Sequence, residues 1–227
     1  MDTLALLRGI RFIDNFFPSG GYAFSSGLEA AVQGGAIRNG DDLSKYVEDL
    51  LLNGIGRREA VAVAKAWQAA SSKLQAALEV DQELDSMKLG YETRMASSQM
   101  GRQVIRIAAD QLGCSPILQG FRAAVEAEET PGHLAVSLGL TLGATGWGKE
   151  QTVAAYLYQT AVGFVSAAMK LLPIGQREGQ RLLERWLPII ERVSAEANQS
   201  SRLTSWSPVQ DIYSMRHSRL ESRLFRS

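Results

Sequence analysis

The nearest match to a phosphate-binding loop is the segment GATGWGKE at 143–150. Its Gly-x4-Gly-Lys spacing is that of a loop whose backbone amides and lysine hold nucleotide phosphates. Glu150, however, stands where a Ser or Thr hydroxyl should reach the magnesium ion. A carboxylate there would repel the phosphates, and the surrounding chain shows no βαβ pattern. Nucleotide binding at this segment is therefore disfavoured.

The residues typical of nucleophilic catalysis and metal binding are few and scattered. AFSSG at 23–27 differs from the nucleophile elbow because Ala23 takes the place of the first glycine. The only histidines are His133 and His217, and with Cys114 they show no paired ligand spacing. We therefore expect no serine hydrolase, no single-chain metal site and no cofactor, and we interpret the histidines as structural.

The segment FPSGGYAFSSGLE at 17–29 combines aromatic rings, glycines and hydroxyl groups in front of a predicted helix. One interpretation is a turn with a helix N-cap at Ser25 or Ser26 and with aromatic rings anchored in the core. The other is a binding surface. The residues alone leave both open.

A second candidate surface is RMASSQMGRQ at 94–103. Arg94, Ser98 and Arg102 are four residues apart, so they would form one polar stripe along a helix. The segment contains no acid to pair with the arginines. The stripe is either an ordinary solvated face or a binding surface.

The third candidate surface is the end of the chain, MRHSRLESRLFRS at 215–227. Four arginines accompany a single acid, Glu221, and Leu220, Leu224 and Phe225 could act as apolar anchors. Arginine and aromatic residues are enriched at protein interfaces. We therefore expect this segment to dock onto its own body or onto another chain.

Composition limits the possible partners and the compartment. The 227 residues carry 24 Lys and Arg against 24 Asp and Glu, so the net charge is zero and nucleic acid is a disfavoured partner. The single cysteine excludes an intrachain disulfide, and the charges at Asp2, Arg8 and Arg11 interrupt any signal peptide. These features favour a reducing cytoplasm.

Two stretches, 132–148 and 151–169, lack Lys, Arg, Asp and Glu. Both contain too many small and polar residues for a membrane span. We interpret the second as a central helix buried on nearly all sides, and we expect no membrane association.

Apolar residues at spacings of three and four predict amphipathic helices along most of the chain. Glycines and prolines between them predict about nine or ten helices. The exception is 134–142, where leucines and valine alternate as in a strand; we predict a helix there, because a lone strand would have no partner. The expected fold is all-α, a single helical-bundle domain over 1–207 followed by a C-terminal tail at 208–227.

Four segments, 17–29, 94–103, KLLPIGQREGQ at 170–180 and 211–227, together resemble the UreF family of urease accessory proteins. The resemblance implies an all-α homodimer that delivers nickel rather than catalysing a reaction. It also implies partners: the accessory protein UreD (UreH), the GTPase UreG, which the complex recruits, and the urease apoprotein, which receives the nickel.

The resemblance also implies which residues bind partners. Tyr22 and Arg223 are the first candidates for the surface that receives the GTPase, followed by Lys170 and Arg102. The N-terminal segment and the tail are assigned to UreD. The complete set of predicted partner-binding residues is Tyr22, Glu29, Arg94, Arg102, Lys170, His217, Arg223, Leu224, Phe225 and Arg226.

Two other functions stay open. In one, the protein regulates GTP hydrolysis by inserting Arg94, Arg102 or Arg223 into the partner's site. In the other, a dimer carries nickel itself, with two copies of His217 or Cys114 meeting at the symmetry axis.

Overall fold

Eleven α-helices and one short 3-10 turn span residues 2–226, the part of the chain that the computed structural model describes. No strand occurs within those residues, so the all-α prediction is confirmed, with slightly more helices than the breaks in the sequence indicated. The helices are α1 (Thr3–Ile13), α2 (Leu28–Gln33), α3 (Gly40–Asn53), α4 (Glu59–Ala69), α5 (Leu74–Met87), α6 (Tyr91–Gln111), α7 (Pro116–Glu126), α8 (Leu134–Ala144), α9 (Lys149–Leu171), α10 (Gln176–Gln199) and α11 (Pro208–His217).

The centre of the bundle is α8, which lies against α4, α6 and α9. Every residue over 135–142 is buried. A helix that is apolar on all sides shows no helical periodicity, so its apolar residues can alternate by chance as in a strand. The helix predicted for 134–142 is therefore confirmed.

Small residues let α4 and α8 approach closely. A β-carbon added at Gly139 would lie 2.6 Å from the Val63 carbonyl oxygen and 2.8 Å from the Ala66 β-carbon. Close packing of this kind tolerates no added methyl group without movement of the backbone. The alanines and glycines of these helices thus set the distance between their axes.

The helix α9 packs against α4, α8 and α10 on one side. Its other side is exposed at Tyr158, Gly163 and Lys170, so the interpretation of 151–169 as buried on nearly all sides is correct for one face only. Within residues 2–226, no helix combines the length and the hydropathy needed to cross a bilayer.

A buried carboxylate fixes the start of α8. The Asp81 carboxylate accepts hydrogen bonds from the backbone amides of Gly132 (2.6 Å) and His133 (2.8 Å). The His133 ring is fully buried, with Nδ1 3.1 Å from the Ser97 hydroxyl and Nε2 3.0 Å from the Asp85 carboxylate. Burial lowers the pKa of His133 despite the nearby acids. His133 thus has a structural role.

A buried cluster of charges, Arg58, Glu59 and Lys88, joins the start of α4 to the loop between α5 and α6. The Glu59 carboxylate accepts hydrogen bonds from Nε and Nη2 of Arg58, each at 3.1 Å, and from Nζ of Lys88 at 2.6 Å. Burial alone would raise the pKa of Glu59, but the two cations outweigh it and lower the pKa to about 2. Glu59 therefore stays ionised in the interior.

The segment before α11, α11 itself and the residues after it all lie against the rest of the bundle. The backbone amides of Thr204 and Trp206 donate to the carbonyl oxygens of Arg57 and Asn53, which holds the linker-like segment before α11 onto the loop between α3 and α4. α11 then packs mainly against α2 and also against α6.

We predict that Gly139→Ala lowers the free energy of unfolding by roughly 1–3 kcal/mol, because the added methyl group overlaps α4. Urea unfolding followed by circular dichroism measures the change. The control is Gly163→Ala in α9, where a β-carbon meets nothing within 4 Å; this change should be neutral or stabilise the protein by up to about 1 kcal/mol. Equal effects of the two substitutions would contradict the packing argument.

Glu59 also predicts an acid dependence of stability. Its folded-state pKa lies below its ordinary value of 4.5, so its stabilising contribution is complete above pH 4.5 and is lost as the pH falls toward 2. The loss should reach about 3 kcal/mol in the wild type. Glu59→Gln should remove most of this pH dependence, whereas Glu83→Gln on the surface should retain it. Urea unfolding between pH 6 and pH 3 makes the comparison, and an unchanged slope in Glu59→Gln would refute the assignment.

Candidate functional site

The segment at 17–29 meets the end of the chain at the first turn of α2. Gly27, the residue before this helix, has a φ of 85°, which glycine adopts without strain. A β-carbon on Gly27 would lie 2.9 Å from the backbone nitrogen of Ser214 in α11. Glycine is thus required both for the turn and for the approach of α11. Gly27, rather than Ser25 or Ser26, is the N-cap residue.

The Glu29 carboxylate, which is 2% exposed, collects three donors from the end of the chain. Oε1 accepts the backbone amide of Leu224 at 2.7 Å. Oε2 accepts the backbone amide of Phe225 at 3.1 Å and lies 2.9 Å from Nε2 of His217. Glu29, which the resemblance predicted to bind partners, is therefore buried and binds the chain's own tail.

The contacts continue through His217 to α6. Nδ1 of His217 lies 2.7 Å from Oε2 of Glu92, and Oε1 of Glu92 accepts a hydrogen bond from Nη1 of Arg223 at 3.0 Å. Each ring nitrogen of His217 thus faces a carboxylate oxygen. We call Glu29, Glu92, His217 and Arg223 the tail latch.

The electrostatics of Glu29 favour the ionised carboxylate. Burial is the largest influence and would raise its pKa, but the Leu224 amide, the His217 ring and the Phe225 amide together lower the pKa below its ordinary value. At neutral pH the latch therefore contains a charged carboxylate that is hydrogen-bonded by groups of the docked tail.

Phe225 is the apolar anchor of the tail. Its ring is buried, and Nζ of Lys170 lies 5.1 Å from the ring centroid, within range of a cation–π contact. The backbone amide of Arg226 donates to the carbonyl oxygen of Ala23 at 2.8 Å. Leu224, directly before Phe225, is 63% exposed.

Tyr22 completes the exposed part of this region. It lies in the 3-10 turn Gly21–Ala23, and 77% of its surface is accessible. The carbonyl oxygen of its neighbour Ala23 accepts the hydrogen bond from the Arg226 amide, so Tyr22 lies beside the end of the tail. Together, Tyr22, Leu224 and Arg226 give this surface an aromatic, an aliphatic and a cationic group.

The structure brings most of the predicted site residues together, but it separates the stripe on α6. Arg102 donates from Nε to the carbonyl oxygen of Pro131 at 2.9 Å, away from the tail. Ser98 is buried and its hydroxyl donates to the Met95 carbonyl oxygen, so it divides the expected stripe. Arg94 is half-buried and makes none of the hydrogen bonds of the latch.

Two contributors were missed by the sequence analysis. Glu92, which links His217 to Arg223, lies two residues before the 94–103 segment and supplies the acid that this segment lacks. Gln33, at the end of α2, donates from its side-chain amide to the Ser222 carbonyl oxygen at 3.2 Å. An acid in the first turn of a helix is stabilised by the helix dipole. This local effect is enough to explain Glu92, so nothing near it in sequence indicated its distant partners.

In the described part of the chain, no group of three or more His, Cys, Asp and Glu side chains is placed to hold a metal ion. The sulfur-bearing Cys114 is exposed on the surface. Both ring nitrogens of His217 face carboxylates of the latch.

Comparison with known proteins gives consistent relatives. A sequence model of the UreF family matches residues 37–187. The chain is 30% identical to the urease accessory protein UreF of Bacillus sp. (strain TB-90) over 225 residues, which cover 98% of this chain and 99% of the relative. The identity is 33% with the UreF protein of Xanthobacter autotrophicus over 99% of this chain and 92% of the relative, and 32% with that of Methylobacterium radiotolerans over 100% and 98%.

We predict that Glu29→Gln loosens the tail. Glutamine offers one acceptor oxygen where the carboxylate offers two, so at least one of its three donors loses its partner. Hydrogen exchange of peptides covering 218–226 should become roughly tenfold to a hundredfold faster, the size expected when a hydrogen bond to a charged group is lost.

The matched control is Glu221→Gln, which removes an exposed acid from the same tail. It should leave the exchange of 218–226 unchanged. Wild-type protection of the tail in Glu29→Gln would show that the latch does not hold it.

Proposed function

The chain belongs to the UreF family of urease accessory proteins, and from that premise we propose that it is a cytoplasmic, homodimeric scaffold for nickel delivery to urease. In this proposal it binds UreD (UreH), and the complex recruits the GTPase UreG to the urease apoprotein. The latched tail is the single observation that supports it best. The tail exposes the aliphatic side chain of Leu224 and the arginines Arg223 and Arg226 near Tyr22. Buried hydrogen bonds order this surface.

The tail, residues 208–227, is the proposed contact for UreD. Its described part docks through polar contacts at one edge, while the outer side of α11 exposes apolar side chains. These are Val209, Ile212 and Met215, with Trp206 directly before the helix. A row of exposed apolar residues is typical of a surface that another protein covers. The N-terminal segment contributes to the same contact through its position beside the tail.

Arg223 and Tyr22 are the proposed receptors for UreG, with Lys170 beside them. The Arg223 side chain is 43% exposed and uses Nη1 for Glu92, which leaves other guanidinium donors for a partner's carbonyl or carboxylate. Tyr22 offers an amphipathic contact at a low entropic cost. Arg102, with its Nε on Pro131, is a more distant contributor.

The alternative is that an arginine enters the GTPase site and accelerates hydrolysis. The guanidinium groups of Arg102 and Arg223 already donate hydrogen bonds to Pro131 and Glu92. Either would have to leave its partner before insertion, which disfavours Arg102 and Arg223, whereas half-buried Arg94 makes none of these hydrogen bonds and stays a candidate for insertion.

We predict that Arg223→Ala abolishes UreG recruitment. Wild type and variant are co-expressed with the cognate UreD and UreG, and the complexes are analysed by affinity pull-down and by size-exclusion chromatography with light scattering. The wild type should co-elute with both partners, whereas the variant should lose UreG. Arg219→Ala is the matched control, since Arg219 is an exposed arginine of the same tail.

Normal three-protein complexes in Arg223→Ala would contradict the assignment of this residue, and no complex in the wild type would contradict the scaffold itself. Single-turnover GTP hydrolysis separates the alternative. A scaffold leaves the chemical step nearly unchanged, whereas an inserted arginine accelerates it by about 10³-fold or more.

A further inference from the structure

A cleft of about 220 Å³ lies behind the tail, between the N-terminal segment and helices α6, α9 and α11. The buried charge cluster of Arg58, Glu59 and Lys88 lines it. Asp211 and Phe225 line it from α11 and the tail. The cleft is therefore partly walled by the latched segment, although none of the latch residues Glu29, Glu92, His217 and Arg223 lines it.

The two buried cations carry more donors than the surrounding protein satisfies. Arg58 has five N–H groups and Lys88 has three. Four hydrogen bonds use them among the described residues: three go to Glu59 and one, at 3.3 Å, to the Met87 carbonyl oxygen. A buried donor without an acceptor destabilises the protein. Each of the four nitrogens already makes one hydrogen bond, so the four remaining N–H groups are the ones available to oxygen atoms in the cleft.

The charge of the cluster points to the same kind of ligand. Two cations share one fully buried carboxylate, which leaves one positive charge in excess. The nearest further acid is Asp211, which is half-buried and forms no ion pair within 4 Å in the described chain. Burial raises the pKa of Asp211, and this effect outweighs the opposing influence of Arg58. Asp211 therefore lines the cleft beside the cluster without an ion pair to either cation.

We propose that this cleft is a binding site for a small oxyanion, a carboxylate or a phosphate-like ion, held by Arg58 and Lys88. Guanidinium and ammonium groups are the usual ligands of such anions, and their hydrogen bonds to an ionised oxygen are stronger than neutral ones. The volume admits a small anion together with several waters, since one water takes about 30 Å³. Asp211 opposes the anion electrostatically and limits its affinity.

The tail forms one wall of the cleft. Asp211 belongs to α11 and Phe225 follows it, so both elements that close this side of the cleft belong to the segment that the latch holds. An anion bound to Arg58 and Lys88 would contact the inner side of that segment. The site is independent of the proposed scaffold function, because its donors lie on α4 and on the loop between α5 and α6.

The test is calorimetric titration of the full chain with sodium acetate and, separately, with sodium phosphate, at an ionic strength held constant with sodium chloride. We expect saturable one-site binding of at least one oxyanion. The comparison of acetate with phosphate identifies the preferred class. Absence of saturable binding for both anions would mean that water alone fills the cleft and would overturn the proposal.

Two substitutions should change the affinity in opposite directions. Lys88→Met removes a cationic donor and should weaken binding at least tenfold. Asp211→Asn removes the competing carboxylate and should strengthen it severalfold. Lys65→Met, which removes a surface lysine paired with Glu83, should leave binding unchanged.

Asp211→Asn keeps the test decisive if Lys88→Met does not fold, because Asp211 is half-buried and makes none of the ion pairs of the cluster. Binding that Asp211→Asn leaves unchanged or weakens would place the anion elsewhere and would overturn the proposal.

Discussion

The buried carboxylate of Glu29 is the constraint on which the arrangement of the two ends of the chain depends. An ionised carboxylate is costly to bury unless donors surround it, and all of its long-range donors come from the tail. The first turn of α2, the packing of α11 and the docking of Phe225 therefore stabilise one another. If the tail left, Glu29 would need water in place of these donors, so the surface beside Tyr22 would change with it.

Much of the bundle could be predicted from the sequence, because amphipathic helices such as α3 and α10 show their buried face in the spacing of apolar residues. α8 was harder. Its residues are buried on every side, so the pattern carried no helical period, and only the lack of a partner strand decided the prediction. The resemblance to a family located Glu29, His217 and Arg223 of the tail latch but not Glu92, whereas composition and spacing located none of the contacts among them.

The contacts of those residues could not be predicted, since they join positions far apart in the chain. Glu29 lies 188 residues from His217 and 195 from Leu224. The same holds for the interior charges. Arg58 and Glu59 are adjacent in sequence and could form an ordinary solvated helix start; nothing near them in sequence indicates their burial or the contact with Lys88, 29 residues beyond Glu59. A net charge of zero gives only the sum of the charges. It does not show that charged side chains cluster in the interior.

The tail latch also restricts where the chain can accept insertions and deletions. Glu29 contacts both His217 and Leu224, so the six residues between them must span a fixed distance. An insertion or deletion there would shift Phe225 out of its buried position, because the His217 ring and the Leu224 amide, on either side of the change, could no longer reach one carboxylate. The segment before α11 is exposed at 200–202; after that it buries Leu203 and Ser207 and makes two backbone hydrogen bonds, at Thr204 and Trp206. Natural variation in length should therefore accumulate before α11 and be rare after it.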